Sequence, residues 1–241
     1  MKIIRKGKFE ILTSKKDLLR QLKTIERAGR TSHRSEKEEV TNGTATKFIK
    51  KIIDLGHESV LEHGYMSVRF TNVSRGFTHE MVRHRHCAFT QESTRYVNYF
   101  VSDKNRKVQV GKKEIEFVFP PREKEDNKIT LKNGKIFSIS EFLNLLGNFY
   151  EALLDSGWRP EDARQFLPIG ISSQIIVTTN LREWRQIFER RTTLGAHWEI
   201  RRIIAELLEK VREEIPIIFD DFVKEGEDNH GIPYYTREIK M

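Results

Sequence analysis

Apolar positions along this chain change period several times, and each change marks an element. Lys8 to Leu12 reads as a short strand, while Leu18, Leu19, Leu22 and Ile25 recur at helical spacing over about 15–28. A second helix is expected from about Ala45 to Leu55, with Phe48, Ile52 and Leu55 on one stripe and Gly56 placed as its C-terminal stop. Tyr65 to Phe70 alternates as a strand does, with Met66, Val68 and Phe70 on one side. Ser74 to His86 returns to helical character: Phe77, Met81 and Val82 form a narrow apolar face, and His79, Arg83 and His86 share another. After Cys87 the pattern is extended, which would line up Gln91, Ser93 and Arg95.

Ser102 to Phe137 is rich in charge. It holds Pro120-Pro121, and Asn133-Gly134 is a turn signal between the apolar runs 116–119 and 136–137, so a hairpin-like excursion is expected. Helix resumes after Ser138, whose capping-box partner would be Glu141, and runs through Phe142, Leu145, Leu146, Phe149 and Leu153 to a stop at Gly157. Pro160 opens a short helix. Ile171 to Thr178 is β-rich, and Asn180 with Glu183 forms an N-cap pair for a helix carrying Trp184, Ile187 and Phe188. Ile200, Ile203, Ile204, Leu207, Leu208 and Val211 make one buried stripe that ends at Pro216. With no internal repeat, the mixture predicts an α+β fold in a single domain over 1–241, with 102–137 as a charged variable insertion.

Composition narrows the setting. A chain of 241 residues can bury a core without a disulfide or a structural metal, and Cys87, the single cysteine, excludes an intrachain disulfide framework and fits a reducing compartment. The N-terminus has charge but no sustained apolar run, and no later stretch is long enough to span a bilayer, so a cytoplasmic protein without a membrane partner is expected. A net charge of +8 and a pI near 9.5 favour anionic partners, either nucleic acid or nucleotides.

The densest chemistry lies between Arg83-His84-Arg85 and Ser93-Thr94-Arg95. Such a run is commonly only a solvated basic face. Here, however, hydroxyl and amide donors accompany the guanidiniums, and Arg83 on a helix with Gln91, Ser93 and Arg95 on one strand side could converge on an anion. No metal is expected: His79, His84, His86 and Cys87 do not share one face, and the neighbouring arginines repel cations. His57 and His63 are six apart, where a zinc protease helix needs four. Cys87 and Ser93 lack the partners of an activated nucleophile, which favours a phosphate-donor role for Ser93. His57 and Glu58 after Gly56 could equally be capping residues, Arg164 could pair with Glu161, and Arg182, Arg190 and Arg191 could be helix surface.

R-H-R, seven residues, S-x-R resembles the signature of flavin-dependent thymidylate synthases, the ThyX family. Further blocks are similar in the same order: Gly56-His57-Glu58-Ser59 with Glu62-His63, Glu161 to Arg164 with Leu167-Pro168, Asn180-Leu181-Arg182, and Arg191 followed by His197-Trp198-Glu199-Ile200. The resemblance covers roughly 56–222. It implies the family's α+β domain, an antiparallel or mixed sheet with flanking helices, assembled as a homotetramer with active sites shared between subunits. It further implies FAD-dependent conversion of dUMP to dTMP, with methylenetetrahydrofolate as carbon donor and NADPH as reductant. Ser59, Arg83, His84, Arg85, His86, Gln91, Asn180, Arg182 and Gln186 would hold FAD, and His57 and Tyr96 would lie near the flavin and folate rings. Glu80, Arg83, Gln91, Ser93, Thr94, Arg95, Arg164 and Arg191 would bind dUMP, with Arg191 the catalytic residue at the uracil. Ala88, Thr90 and Gly195 depart from residues common in the family. The rival expectations are a basic nucleic-acid-binding module and a flavin- and nucleotide-binding relative that has lost catalysis.

Overall fold

The structure, a computed structural model, describes residues 1–36, 39–95 and 115–238. In chain order its elements are β1 (Lys2–Ile4), β2 (Lys8–Ile11), α1 (Lys15–Thr31), α2 (Asn42–Asp54), β3 (Tyr65–Ser74), α3 (Arg75–Met81), β4 (Cys87–Gln91) and β5 (Glu116–Val118). Then follow β6 (Lys128–Thr130), β7 (Ile136–Ser138), α4 (Ile139–Asp155), α5 (Pro160–Ala163), β8 (Ser172–Asn180), α6 (Leu181–Arg191), α7 (Trp198–Glu214), α8 (Pro216–Phe219), β9 (Phe222–Glu227) and β10 (Pro233–Arg237). The fold is α+β. Its sheets are mixed: β1 and β5 pair in parallel, β6–β7 and β9–β10 are antiparallel pairs, and a four-stranded sheet runs in the order β2-β3-β8-β4. No helix among the described residues is long and apolar enough to cross a membrane.

The residues group into two compact units. One holds those within 1–7, 71–79 and 91–175, and the other those within 8–70, 80–90 and 176–241. In the first unit, α4 packs Leu143 and Tyr150 against Ile115, Phe117, Phe119, Ala163 and Ile171. Ser138 caps α4 as its sequence foretells, accepting from the Glu141 amide at 3.1 Å while the Glu141 carboxylate accepts from the Ser138 amide at 2.6 Å. In the second unit the stripe of α7 is buried at Ile200, Ile203, Ile204, Leu207, Leu208 and Val211. Trp184 on α6 is fully buried, and its indole N–H donates to the Met66 carbonyl at 2.9 Å, tying the helix to β3. Gly56 and Gly157 end their helices at φ of +70° and +87°, values that an L side chain rarely adopts.

Three expectations require correction. The helix expected to reach His86 ends at Met81, where the Arg83 and His84 amides turn back to the Glu80 and Met81 carbonyls, three residues away in each case. Phe77 and Met81 exhaust its apolar face, and Val82 is left exposed. The extended run after Cys87 stops at Gln91, so Ser93 and Arg95 belong to a turn in which Ser93 Oγ accepts from the Arg95 amide at 3.3 Å. Asn133-Gly134 does make a hairpin, but between β6 and β7, because the run 116–119 pairs instead with β1. The C-terminal β9–β10 hairpin carries no clear periodic signal, because its strands mix polar and apolar positions with little alternation.

Candidate functional site

Asn180 ends β8 and caps α6, its carboxamide oxygen accepting from the Glu183 amide at 2.8 Å. That use of the oxygen leaves the amide nitrogen as the remaining donor of a residue that lines a cavity of about 440 Å³ in the second unit. His86, Arg182 and Gln186 line the same cavity together with Glu58 and Glu189. Arg182 lies in the first turn of α6, where the helix dipole favours anions, and its guanidinium donates to Glu62 at 2.5 Å. Four residues that the motif resemblance assigns to the flavin are therefore brought together. Amide, guanidinium and imidazole donors at a helix N-terminus fit a ligand that is both anionic and rich in hydrogen-bond acceptors, as a flavin dinucleotide is. The neighbouring carboxylates compete for these donors.

Arg191, at the C-terminal end of α6, is clamped from three directions. Its Nη1 donates to Glu80 Oε2 at 2.8 Å, its Nη2 to the Glu80 carbonyl at 2.8 Å, and its Nε to His84 Nε2 at 3.0 Å. The side chain is 18% exposed. Burial lowers the Arg191 pKa from the usual arginine value, Glu80 opposes that shift, and Arg190 and Arg83 reinforce it. Because three of five N–H donors are occupied, the remainder present a fixed fork. His84 is buried, and its other nitrogen, Nδ1, stands 3.4 Å from the buried Glu183 carboxylate. Burial, followed by the Arg191 and Arg190 charges, pushes its pKa down to about 4. Arg83 and Arg85 are exposed on either side of it.

In the first unit, Arg164 Nη1 donates to the buried Thr94 hydroxyl at 2.8 Å, and both line a cavity of about 380 Å³ with Arg75, His79, Gln165 and an apolar wall that includes Leu167 and Ile169. Arg164 also reaches the Glu161 carbonyl at 3.1 Å. The Glu161 carboxylate takes Arg95 instead, at 3.0 Å, and that bond and charge, with Arg159 behind them, hold its pKa below the carboxylate norm. Gln91 donates to Thr78 Oγ1 at 2.9 Å and to Ser173 Oγ at 3.4 Å, and Ser93 is half-buried. Arg75 carries no motif signal, and His79 reads in the sequence as a helix-face residue beside Arg83 and His86 or as a metal ligand, so their place in this cavity is not legible there.

His57 and Ser59 are exposed and line a different cavity, of about 850 Å³, in the second unit, with Arg30, His33, Lys47 and Lys51 around it. Glu58 between them is not a cap but accepts from Arg185 Nη2 at 3.1 Å and from Arg237. Tyr96 lies outside the described residues, as does the 102–114 part of the expected insertion at 102–137. Burial pushes the Cys87 thiol up to about 11, so it is not a thiolate at neutral pH.

A family model described as "Thymidylate synthase complementing protein" matches residues 17–217. The chain is 35% identical over 185 residues to a flavin-dependent thymidylate synthase of Geobacter sulfurreducens, covering 77% of this chain and 72% of that one. It is also 35% identical over 184 residues to a flavin-dependent thymidylate synthase of Pyrococcus furiosus, covering 75% and 69%. Among solved structures, a UMP/dUMP methylase PolB from Streptomyces cacaoi bound with 5-Br dUMP shares the fold, with a TM-score of 0.66 at 20% identity over 91% of this chain and 96% of that one.

Proposed function

The chain belongs to the thymidylate synthase complementing protein family, the flavin-dependent thymidylate synthases, and from that membership we propose that it reductively methylates dUMP to dTMP with FAD as cofactor, methylenetetrahydrofolate as carbon donor and NADPH as reductant. The observation that carries the reading is the cavity in which Asn180, Arg182, Gln186 and His86 meet at the start of α6. These residues would hold the flavin, with Ser59, Arg83, Arg85 and Gln91 as further contacts and His57 near the flavin and folate rings. When bound, the flavin would supply the redox chemistry that completes the methyl group.

The chain's own groups bind, orient and stabilise charge. Arg164, Thr94, Ser93 and Arg95 present guanidinium and hydroxyl donors suited to a nucleotide phosphate, and Arg75 and His79 extend that set. Glu80, Arg83 and Gln91 complete the nucleotide contacts. Arg191 acts at the pyrimidine: a fixed cation beside the carbonyl and N3 stabilises negative charge on the ring as C5 becomes nucleophilic. Glu80 and His84 hold that cation before the substrate arrives, which reduces the reorganisation required during reaction.

The match over 17–217 runs through both compact units, which supports reading 1–241 as one functional domain, and we read 102–137 as a variable insertion within it. We also place the protein in the cytoplasm, as a homotetramer with active sites shared between subunits. The test is a flavin titration followed by NADPH oxidation with methylenetetrahydrofolate, with and without dUMP. Stoichiometric FAD uptake and dUMP-dependent dTMP formation are expected, and Arg191→Ala should abolish product while keeping the fold. A pure protein that takes up no flavin and makes no dTMP would overturn the reading.

A further inference from the structure

We propose that His84 and Glu183 are a positioning pair, in which the neutral imidazole, anchored on one side by the Glu183 carboxylate, accepts the Arg191 Nε–H and so sets the plane of the Arg191 guanidinium. The inference rests on the role of Arg191 given above and deepens it.

The geometry starts from the donor. Arginine keeps its protons in proteins, so a bond of 3.0 Å from Arg191 Nε to His84 Nε2 requires a lone pair on Nε2. The imidazole proton then sits on Nδ1, which faces Glu183 Oε1 at 3.4 Å. A protonated ring would set two donors head to head and break the contact with Arg191.

The surroundings enforce the neutral form. His84 is 6% exposed, and the Arg191 and Arg190 charges of α6 disfavour a protonated ring, outweighing the carboxylates of Glu183 on α6 and of Glu80 on α3 behind Arg191. Glu183 is itself buried, and its backbone is fixed by the Asn180 cap, so the anchor for the ring is rigid. Glu183 near the start of α6 and Arg191 at its end are thus joined through a side chain from another segment. Rotation of the guanidinium about its own axis is opposed by Glu80 at Nη1 and Nη2 and by His84 at Nε. His84 in this role need not touch substrate or flavin.

The test has two arms. In ligand-free protein labelled with ¹⁵N-histidine, His84 is expected as the Nδ1–H neutral tautomer at pH 5.5, where an ordinary histidine is protonated. In Arg191→Ala its titration should move toward the ordinary value. In the second arm, His84→Leu should lower kcat for dTMP formation by roughly 10- to 100-fold, a larger factor than any accompanying change in the FAD Kd or in the KM for dUMP. His84→Gln, which retains an acceptor, should recover most of the rate, and Glu183→Ala should lower kcat in the same direction by a smaller factor if His84→Leu does not fold. An Nε2–H tautomer, a protonated ring at pH 5.5, or a His84→Leu defect confined to FAD affinity would overturn the pair. Absence of dTMP with the unaltered protein would instead overturn the functional reading, and the NMR arm would still decide the geometry.

Discussion

Arg164 donates its Nη1 proton to the Thr94 hydroxyl at 2.8 Å, joining two positions seventy residues apart in the chain within one compact unit. The bond turns an arginine that could have been a helix-surface ion pair into one fixed on the wall of a cavity with Arg75 and His79. Arg164→Met removes a charge-assisted donor worth about 1.5–3 kcal/mol. Steady-state kinetics should show the KM for dUMP raised roughly 10- to 100-fold, with the flavin spectrum unaltered.

Asn180 has two separable jobs. Asn180→Asp keeps the oxygen that caps α6 but replaces the amide donor of this cavity-lining residue with a second carboxylate oxygen. The melting temperature should stay within a few degrees while FAD affinity falls by an order of magnitude or more. Asn180→Ala should lower both, with the lost cap costing about 1 kcal/mol in denaturant unfolding.

Glu58 lies at the centre of a buried ion cluster with Arg185 and Arg237, and Asp221 accepts from Arg185 Nη1 at 2.8 Å and from Arg237 Nε at 3.1 Å. Removing Glu58 leaves two guanidiniums, that of Arg185 fully buried, to share the Asp221 carboxylate. Glu58→Ala should therefore destabilise the protein by about 3–5 kcal/mol, seen in urea denaturation, even with FAD absent.

His84 links stability to pH. Its pKa is about 4 when folded and 6.5 as the ordinary value, so between those limits the unfolded chain binds more protons than the folded one. Its contribution is present in full above pH 6.5 and is lost as pH falls toward 4, by about 3 kcal/mol in all. Urea unfolding from pH 7 to pH 4.5 should show this loss, and His84→Gln should flatten the slope over the same window.

By itself the sequence determined what depends on neighbours along the chain. Periodicity located α1, α2, α4, α6 and α7, and the capping residues Ser138 and Asn180 act where their spacing places them, because a helix start is a local hydrogen-bonding problem. The motif residues were legible as a group for the same reason. Tertiary structure alone decided their partners. Val82 and Arg83 fall beyond the end of α3, β5 takes β1 rather than the Asn133-Gly134 hairpin, and Glu58 joins Arg185 and Arg237 rather than capping. Above all, His84 faces inward to Glu183 and to Arg191, the latter 107 residues away in the chain. Each of these outcomes turns on which distant group satisfies a buried charge or an unpaired strand edge, and that is settled only when the chain has closed.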